Sequence, residues 1–306
     1  FVMAAAWIPE LALGYLVDDP FACAVLTLPD CRDFRTEGFP YVSYLRTLAI
    51  TGPLFLFTFA ISLSILTGEW NAFPGRSFRR EAVVSAVGVV ATGPFLALNF
   101  KLLMEGKLGK VYVDWSEYPT WFNVLSPLFF LVLSDFWFYW THRLCHEIEA
   151  IYNHSHYWHH ASRPTNSFAG NAADFVELMF QGESQIFFVA YVCPMHLQVF
   201  LAMSSLSQLW SIFLHNGMRI KIPGLYDCWD HNIHHHYGKR NGNFGLYFQF
   251  WDRLMGTYLG DTKTPRVFLK SEKCAYASQY DKPILPVNEL IVLAITTGIK
   301  SMLFLV

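Results

Sequence analysis

Charge is what this 306-residue chain has least of: 15% of its residues are charged, against 53% that are hydrophobic. That balance excludes an ordinary soluble domain of this size. The formal net charge of −2 offers no basic surface, so nucleic acid is not an expected partner. Six cysteines occur without a single CxxC pair. A zinc ribbon and a thioredoxin-like redox site are thereby excluded. Cys145, Cys193, Cys228 and Cys274 are expected to be reduced. Cys23 and Cys31 share one short polar loop and are read as free, with a disulfide allowed only in an oxidising lumen. The N-terminus has neither a basic n-region nor a cleavage motif. No repeat or low-complexity stretch breaks the chain, which reads as one domain over 1–306.

What fills the chain instead is long apolar runs. A bilayer crossing needs about 20 residues at roughly 1.5 Å each. Leu45–Leu66, Glu81–Asn99, Val124–Trp140 and Ile186–Leu214 approach or exceed that length, the last interrupted by Pro194. Residues 2–16 and 289–306 are weaker runs that suit the interface. The fold class expected is an all-α integral membrane protein with about four transmembrane helices and a helical cap. Arg76, Arg79 and Arg80 on one side of the second run face Lys101, Lys107 and Lys110 on the other, so the positive-inside rule decides nothing. If the cap segments 141–185 and 215–286 share a side, residues 186–214 must enter and leave on it. A shallow helical hairpin turning near Pro194 follows, with His196 far from the cap.

Histidine is the anomaly. Ten of the twelve fall in two short stretches. His142 and His146 are spaced i, i+4, which puts both imidazoles on one helix face. His156, His159 and His160 follow the spacing i, i+3, i+4, and His231, His234 and His235 repeat it. His215 stands alone after the hairpin. Any one pair is more often a surface feature than a ligand. Three clusters, each beside an apolar run, are not chance, because imidazoles at a membrane boundary need partners. Nine of them suffice for the inner shells of two metal ions. A closed structural zinc needs four ligands and leaves too many unused. Two ions with open positions fit better, and iron is the choice that supports O₂ chemistry. A two-zinc hydrolase stays open, with Asp174 or Glu177 to activate water.

Asp135, Tyr139, His142 and His146 step by 4, 3 and 4 along one helical stripe. Asp135 is expected to accept the second N–H of a ligating imidazole and fix its tautomer; pairing with Arg143 is the alternative. Tyr139, Asp174 and His236 are further supporting candidates. Trp137, Trp140, Trp158, Trp229 and Trp251 read as interface belt or core.

These residues carry a family resemblance. Asp135-Phe-Trp-Phe-Tyr139-Trp140-Thr-His142-Arg143-Leu-Cys-His146 resembles the opening signature of the fatty acid hydroxylase and sterol desaturase superfamily. So do His156-Tyr-Trp-His159-His160-Ala-Ser162-Arg-Pro164-Thr165 and His231-Asn-Ile-His234-His235. Asn243-Phe-Gly245 and Trp251-Asp252-Arg253-Leu-Met-Gly256-Thr257-Tyr258 complete the motif core, 135–258. The loop from Gly109 to Tyr118 and the Arg79-Arg80-Glu81 triplet are similar to the sterol C-5 desaturase branch. The chain departs from the family pattern twice. Gly170-Asn171-Ala172-Ala173-Asp174 stands where many relatives have a His-Pro-x-Glu turn, and Arg219 stands where some hydroxylases have a second histidine.

The resemblance implies a multi-pass protein of the endoplasmic reticulum membrane with a cytosolic catalytic cap. It implies two Fe ions held by His142, His146, His156, His159, His160, His215, His231, His234 and His235. It further implies O₂ as oxidant and electrons from NAD(P)H through cytochrome b5 and its reductase. No His-Pro-Gly-Gly haem motif occurs, so cytochrome b5 would be a separate partner. The expected reaction is desaturation or hydroxylation of a sterol, a terpenoid or a related lipid of secondary metabolism. The alternatives are a fatty-acyl or sphingolipid hydroxylase, and a non-redox metal-dependent isomerase or hydrolase on the same scaffold.

Overall fold

A computed structural model describes residues 57–65, 76–162, 165–216, 222–237 and 242–260, and these are mostly helical. The runs 2–16 and 289–306, Cys23, Cys31, Cys274 and Arg219 lie outside the described residues, as does most of Leu45–Leu66, of which 57–65 is helical. Three helices among the described residues are long and apolar enough to cross a membrane, where the sequence suggests about four. They lie in α1 (Arg76–Met104), α2 (Thr120–Glu147) and α4 (Leu197–His215), with α3 (Ser184–Val192) between the last two.

Helix α2 is built inside out. Trp121, Val124, Leu125, Leu128, Val132 and Phe136 are exposed along one face, while Asn123, Ser126, Ser134 and Asp135 are buried on the other. That is the pattern of a helix whose surroundings are hydrocarbon. Pro127 cannot donate to the Asn123 carbonyl, and the Ser126 hydroxyl donates to it at 2.8 Å instead. The helix therefore continues through its proline. Asn123 also donates to the Trp115 and Tyr118 carbonyls and accepts from the Tyr112 hydroxyl, which pins the preceding loop to the start of α2.

The hairpin is present but not the shallow one expected: its arms are longer than the apolar run indicates, and α4 is by itself long and apolar enough to cross a membrane. Its first arm begins at Phe175–Glu177, passes through a π-helical stretch Leu178–Glu183 and continues as α3. At about 1.5 Å per residue this arm is nearly as long as α4. Gln181 and Glu183 interrupt the hydrophobic run and hide the start of the arm from a search for apolar length. The chain turns at Pro194, and β2 (Met195–His196) pairs in parallel with β1 (Val111–Tyr112). His196 stacks on Trp115 at 3.6 Å and donates from Nε2 to the Val113 carbonyl, so it is held at the turn and joins no histidine cluster. Phe100, Leu103, Phe130, Phe187, Val189 and Phe200 fill the core between α1, α2 and the hairpin.

Above these helices the cap continues through a π-helical turn Tyr152–His156, an α-helical turn Tyr157–His160, α5 (Cys228–Tyr237) and α6 (Phe250–Leu254). Cys145 and Cys228 are buried free thiols and Cys193 is a half-buried one.

Candidate dimetal centre

Each histidine motif sits where a helix end faces the cap. His142 and His146 occupy the last turns of α2, His215 ends α4, and α5 carries His231, His234 and His235. All nine imidazoles are buried and gather into two groups. The first is His142, His146, His156, His160 and His234; the second is His159, His215, His231 and His235. Within each group the nearest ring nitrogens or equivalent ligand atoms lie within 4.8 Å of one another.

The two HxxHH motifs divide in a reciprocal way. His156 and His160 join the first group and send His159 to the second. His231 and His235 join the second and send His234 to the first. Helical geometry dictates this: at about 100° per residue, positions i and i+4 point within about 40° of each other, while i+3 points some 100° away from i+4. A π-helical turn delivers His156 into the first motif, and such turns recur at functional sites.

The donor set fits a cation. His142 Nδ1 and His234 Nδ1 donate to the Phe244 and Gly242 carbonyls, each at 2.9 Å. His215 Nδ1 donates to the Ser211 carbonyl at 2.6 Å, and His156 Nδ1 lies 2.9 Å from Glu177 Oε1. A proton on Nδ1 leaves Nε2 with a bare lone pair. The Nε2 atoms of His146, His156 and His160 then approach one another at 2.7, 3.1 and 3.2 Å. In the second group His231 Nε2 lies 2.9 Å from His215 Nε2 and 3.2 Å from His235 Nε2. Where both facing nitrogens are bare, they repel unless a positive centre lies between them. His142 Nε2 is buried with no hydrogen-bond partner among the described residues. Burial holds His156, His159, His160, His231, His234 and His235 well below the ordinary imidazole range, and their imidazole neighbours push the same way. The rings are therefore neutral at pH 7, the form that binds metals.

The supporting groups differ from the expected ones. Asp135 touches no imidazole. Its Oδ1 accepts the backbone N–H groups of Leu246, Tyr247 and Phe248 at 3.3, 2.7 and 3.2 Å. It shapes the loop whose Phe244 carbonyl holds His142, and it acts on that ring from one layer further out. Nor does it pair with Arg143, which bonds Glu147 and the Tyr139 hydroxyl. Tyr139 reaches Thr257 at 3.1 Å rather than a histidine. Asp174 accepts from Ser155 and caps the helical turn at Glu177, so its part is to fix the backbone there. His236 is half-buried and belongs to neither group.

Glu177, which the sequence offers only as a possible activator of water, does part of the positioning, together with several residues unmarked as site candidates. Glu177 is the carboxylate that meets a clustered imidazole. Asp252 accepts from the Phe244 and Gly245 N–H groups, from Thr257 and from the Tyr226 hydroxyl. Asn232, inside the third motif, accepts from Thr165 at 2.6 Å and ties α5 to the segment after the second. Arg80 bonds Glu81, Ser162 and the Trp158 carbonyl, bracing α1 against the His159-His160 turn. The sequence signal for Arg80, Glu81 and Asp252 lay in the family motifs, which do not say what each residue touches.

A cavity of ≈ 50 Å³ opens beside the second group. His159, His215 and His231 line it, and no histidine of the first group does.

Residues 127–257 match the family model for fatty acid hydroxylase, a segment that contains all nine clustered histidines. The chain is 29% identical to a lathosterol oxidase of Rattus norvegicus over 164 residues, 52% of this chain and 54% of that protein. It is 28% identical over 198 residues to a Delta(7)-sterol 5(6)-desaturase of Gibberella zeae, 63% of this chain and 54% of that one. A lathosterol oxidase of Mus musculus is 30% identical over 168 residues, 52% of this chain and 54% of the mouse protein. The chain thus spans about half the length of the curated relatives it matches. No solved structure matches it. The resemblance read from the motifs stands: a segment that matches the fatty acid hydroxylase family model, with relatives named as lathosterol oxidase and Delta(7)-sterol 5(6)-desaturase.

Proposed function

We propose that this chain is a membrane-embedded, non-haem di-iron oxidoreductase that desaturates or hydroxylates a C–H bond of a sterol, a terpenoid or a related lipid. The observation that carries this reading is the sorting of nine buried imidazoles into groups of five and four. His142, His146, His156, His160 and His234 would hold one iron, and His159, His215, His231 and His235 the other. Bound iron supplies the O₂-dependent removal of hydrogen from an unactivated carbon. The protein's own part is positional. Backbone carbonyls at 211, 242 and 244 and the Glu177 carboxylate orient four rings, and burial keeps the imidazoles neutral. The cavity beside the four-histidine group is where substrate meets the centre, and lipid reaches it from the bilayer between the helices.

The relatives' names carry sterol oxidation, which supports the same class of substrate here. Electrons are drawn from NAD(P)H through a separate cytochrome b5 and its reductase, at the endoplasmic reticulum membrane with the cap in the cytosol. Hydrolysis is the weaker reading. Asp174 caps a helix turn and Glu177 holds His156, so the two carboxylates that could activate water are already engaged in positioning.

The test is product mass after supplying candidate lipids, reductant and O₂ to the iron-loaded protein. Loss of two hydrogens marks desaturation and gain of one oxygen marks hydroxylation. His156→Ala and His234→Ala should each abolish either product. Full turnover in these variants, or turnover without O₂, would overturn the proposal.

A further inference from the structure

The cavity beside the four-histidine group has walls unlike its surroundings. The hairpin arms are apolar, yet Gln181 and Gln185 on the first arm and Ser207, Gln208 and Ser211 on α4 all line this one space. Gln181, Gln185 and Ser207 are buried. Their spacings, i, i+4 on one arm and i, i+1, i+4 on the other, bring these side chains to facing surfaces. Gln185 Nε2 donates to Ser207 Oγ at 3.3 Å, and Gln208 Nε2 donates to Glu183 Oε1 at 3.4 Å, so the arms are linked across the cavity. Two acceptors are left over: Gln181 Oε1 and Gln185 Oε1 are buried and have no hydrogen-bond partner among the described residues.

A buried amide oxygen without a partner is unfavourable, and more so in a hydrocarbon setting. A polar row retained at that depth is a functional candidate. We infer that this polar-walled cavity is the binding site for a hydroxyl group of the lipid substrate, with Gln181 and Gln185 as the residues that select it. A hydroxyl both donates and accepts, so it satisfies an amide whichever way that amide points. The space takes a small polar fragment, a few water molecules in size, and not a whole ring system. The hydroxyl-bearing end of the lipid therefore enters first. His159, His215 and His231 line the same cavity, so the oxidised carbon lies within a few bonds of that hydroxyl rather than in a distant tail. This inference rests on the oxygenase reading for its chemistry, but the recognition it describes is a matter of binding alone.

The experiment uses the full chain, iron-loaded, in lipid nanodiscs. The probes are a 3-hydroxysterol and the same sterol with that hydroxyl replaced by hydrogen. Binding is read from tryptophan fluorescence, and turnover from product mass and position. The wild-type protein should bind the hydroxysterol about tenfold more tightly or better. Gln181→Leu and Gln185→Leu should each remove most of that preference by weakening only the hydroxysterol. Gln185→Met keeps side-chain length without the amide and serves where a leucine variant does not fold. Equal binding of both sterols by the wild type would overturn the inference, as would a preference that survives these substitutions. Slower turnover with the preference intact would mark the cavity as a water path and overturn it too. A clear binding preference with no oxidation of either sterol would instead overturn the oxygenase reading and leave the hydroxyl site standing.

Discussion

Glu177 shows how much depends on one side chain. Its Oε1 lies 2.9 Å from His156 Nδ1, and a proton shared between them would set the tautomer of a ring in the five-histidine group. Replacing it with Gln keeps the size and removes the carboxyl group. Glu177→Gln is expected to weaken metal retention by about 10- to 100-fold, measured by competition with a chromogenic chelator. Retention equal to wild type would show that the carboxylate is not orienting the ring. The histidines were readable in the sequence because their spacing is local. Glu177 was visible only as a carboxylate near the clusters, because its contact with His156 spans 21 positions and a π-helical stretch begins at the next residue. The carbonyls of Ser211, Gly242 and Phe244 leave no trace in a sequence at all, since every residue has one.

The loop 244–248 is held by two carboxylates from different helices. Asp135 of α2 takes three of its N–H groups, and Asp252 of α6 takes two more. Asp135→Ala leaves those three donors without their acceptor, at roughly 1–3 kcal/mol for each group that stays buried and unsatisfied. The expected result is a lower thermal midpoint together with faster loss of metal, because the same loop carries the carbonyl that orients His142. A stable variant with normal metal content would refute this coupling. At the opposite end of the molecule, Gly109 has φ +70°, and a Cβ there would lie 2.3 Å from the Ala190 carbonyl oxygen. Gly109→Ala should destabilise the protein by more than about 1 kcal/mol, seen as a shifted unfolding midpoint in detergent. Unchanged stability would mean that the β1–β2 contact is dispensable. Element type was legible from apolar length, as α2 and α4 demonstrate. The first hairpin arm was not, because its early turns are polar on the cavity side.

At the scale of the whole molecule, the metal centre joins α2, the His156–His160 turns, α4 and α5 into one body. Removing metal leaves nine buried imidazoles with converging lone pairs, so the chelated protein should unfold at a clearly lower temperature. Its pH dependence has a definite sign. The imidazoles of the two HxxHH motifs are depressed in the folded state, whereas the unfolded chain has ordinary ones near 6.5. The unfolded state thus takes up protons first. Stability of the metal-free protein is full above about pH 6.5 and falls as pH drops from there towards the folded values. Thermal melts of the chelated protein at pH 7.5 and 5.5 test this, and an unchanged or higher midpoint at pH 5.5 would contradict it. Metal-loaded protein should lose much less over the same interval. Overall class and the chemistry of the cap were readable from the sequence, because membrane length and histidine spacing are one-dimensional signals. The partition of ligands between the two groups was not, since it depends on how four separate elements converge.

That partition also has a consequence for synthesis. A ribosome delivers residues in order, so when α4 has been made the first group already possesses His142, His146, His156 and His160, and it lacks only His234. The second group at that moment holds His159 and His215, half of its set, and waits for both His231 and His235. A nascent chain can thus capture its first ion while α5 is still inside the ribosome, whereas the second ion has no adequate home until α5 folds back. The two sites would fill in sequence, and the one beside the cavity would fill last.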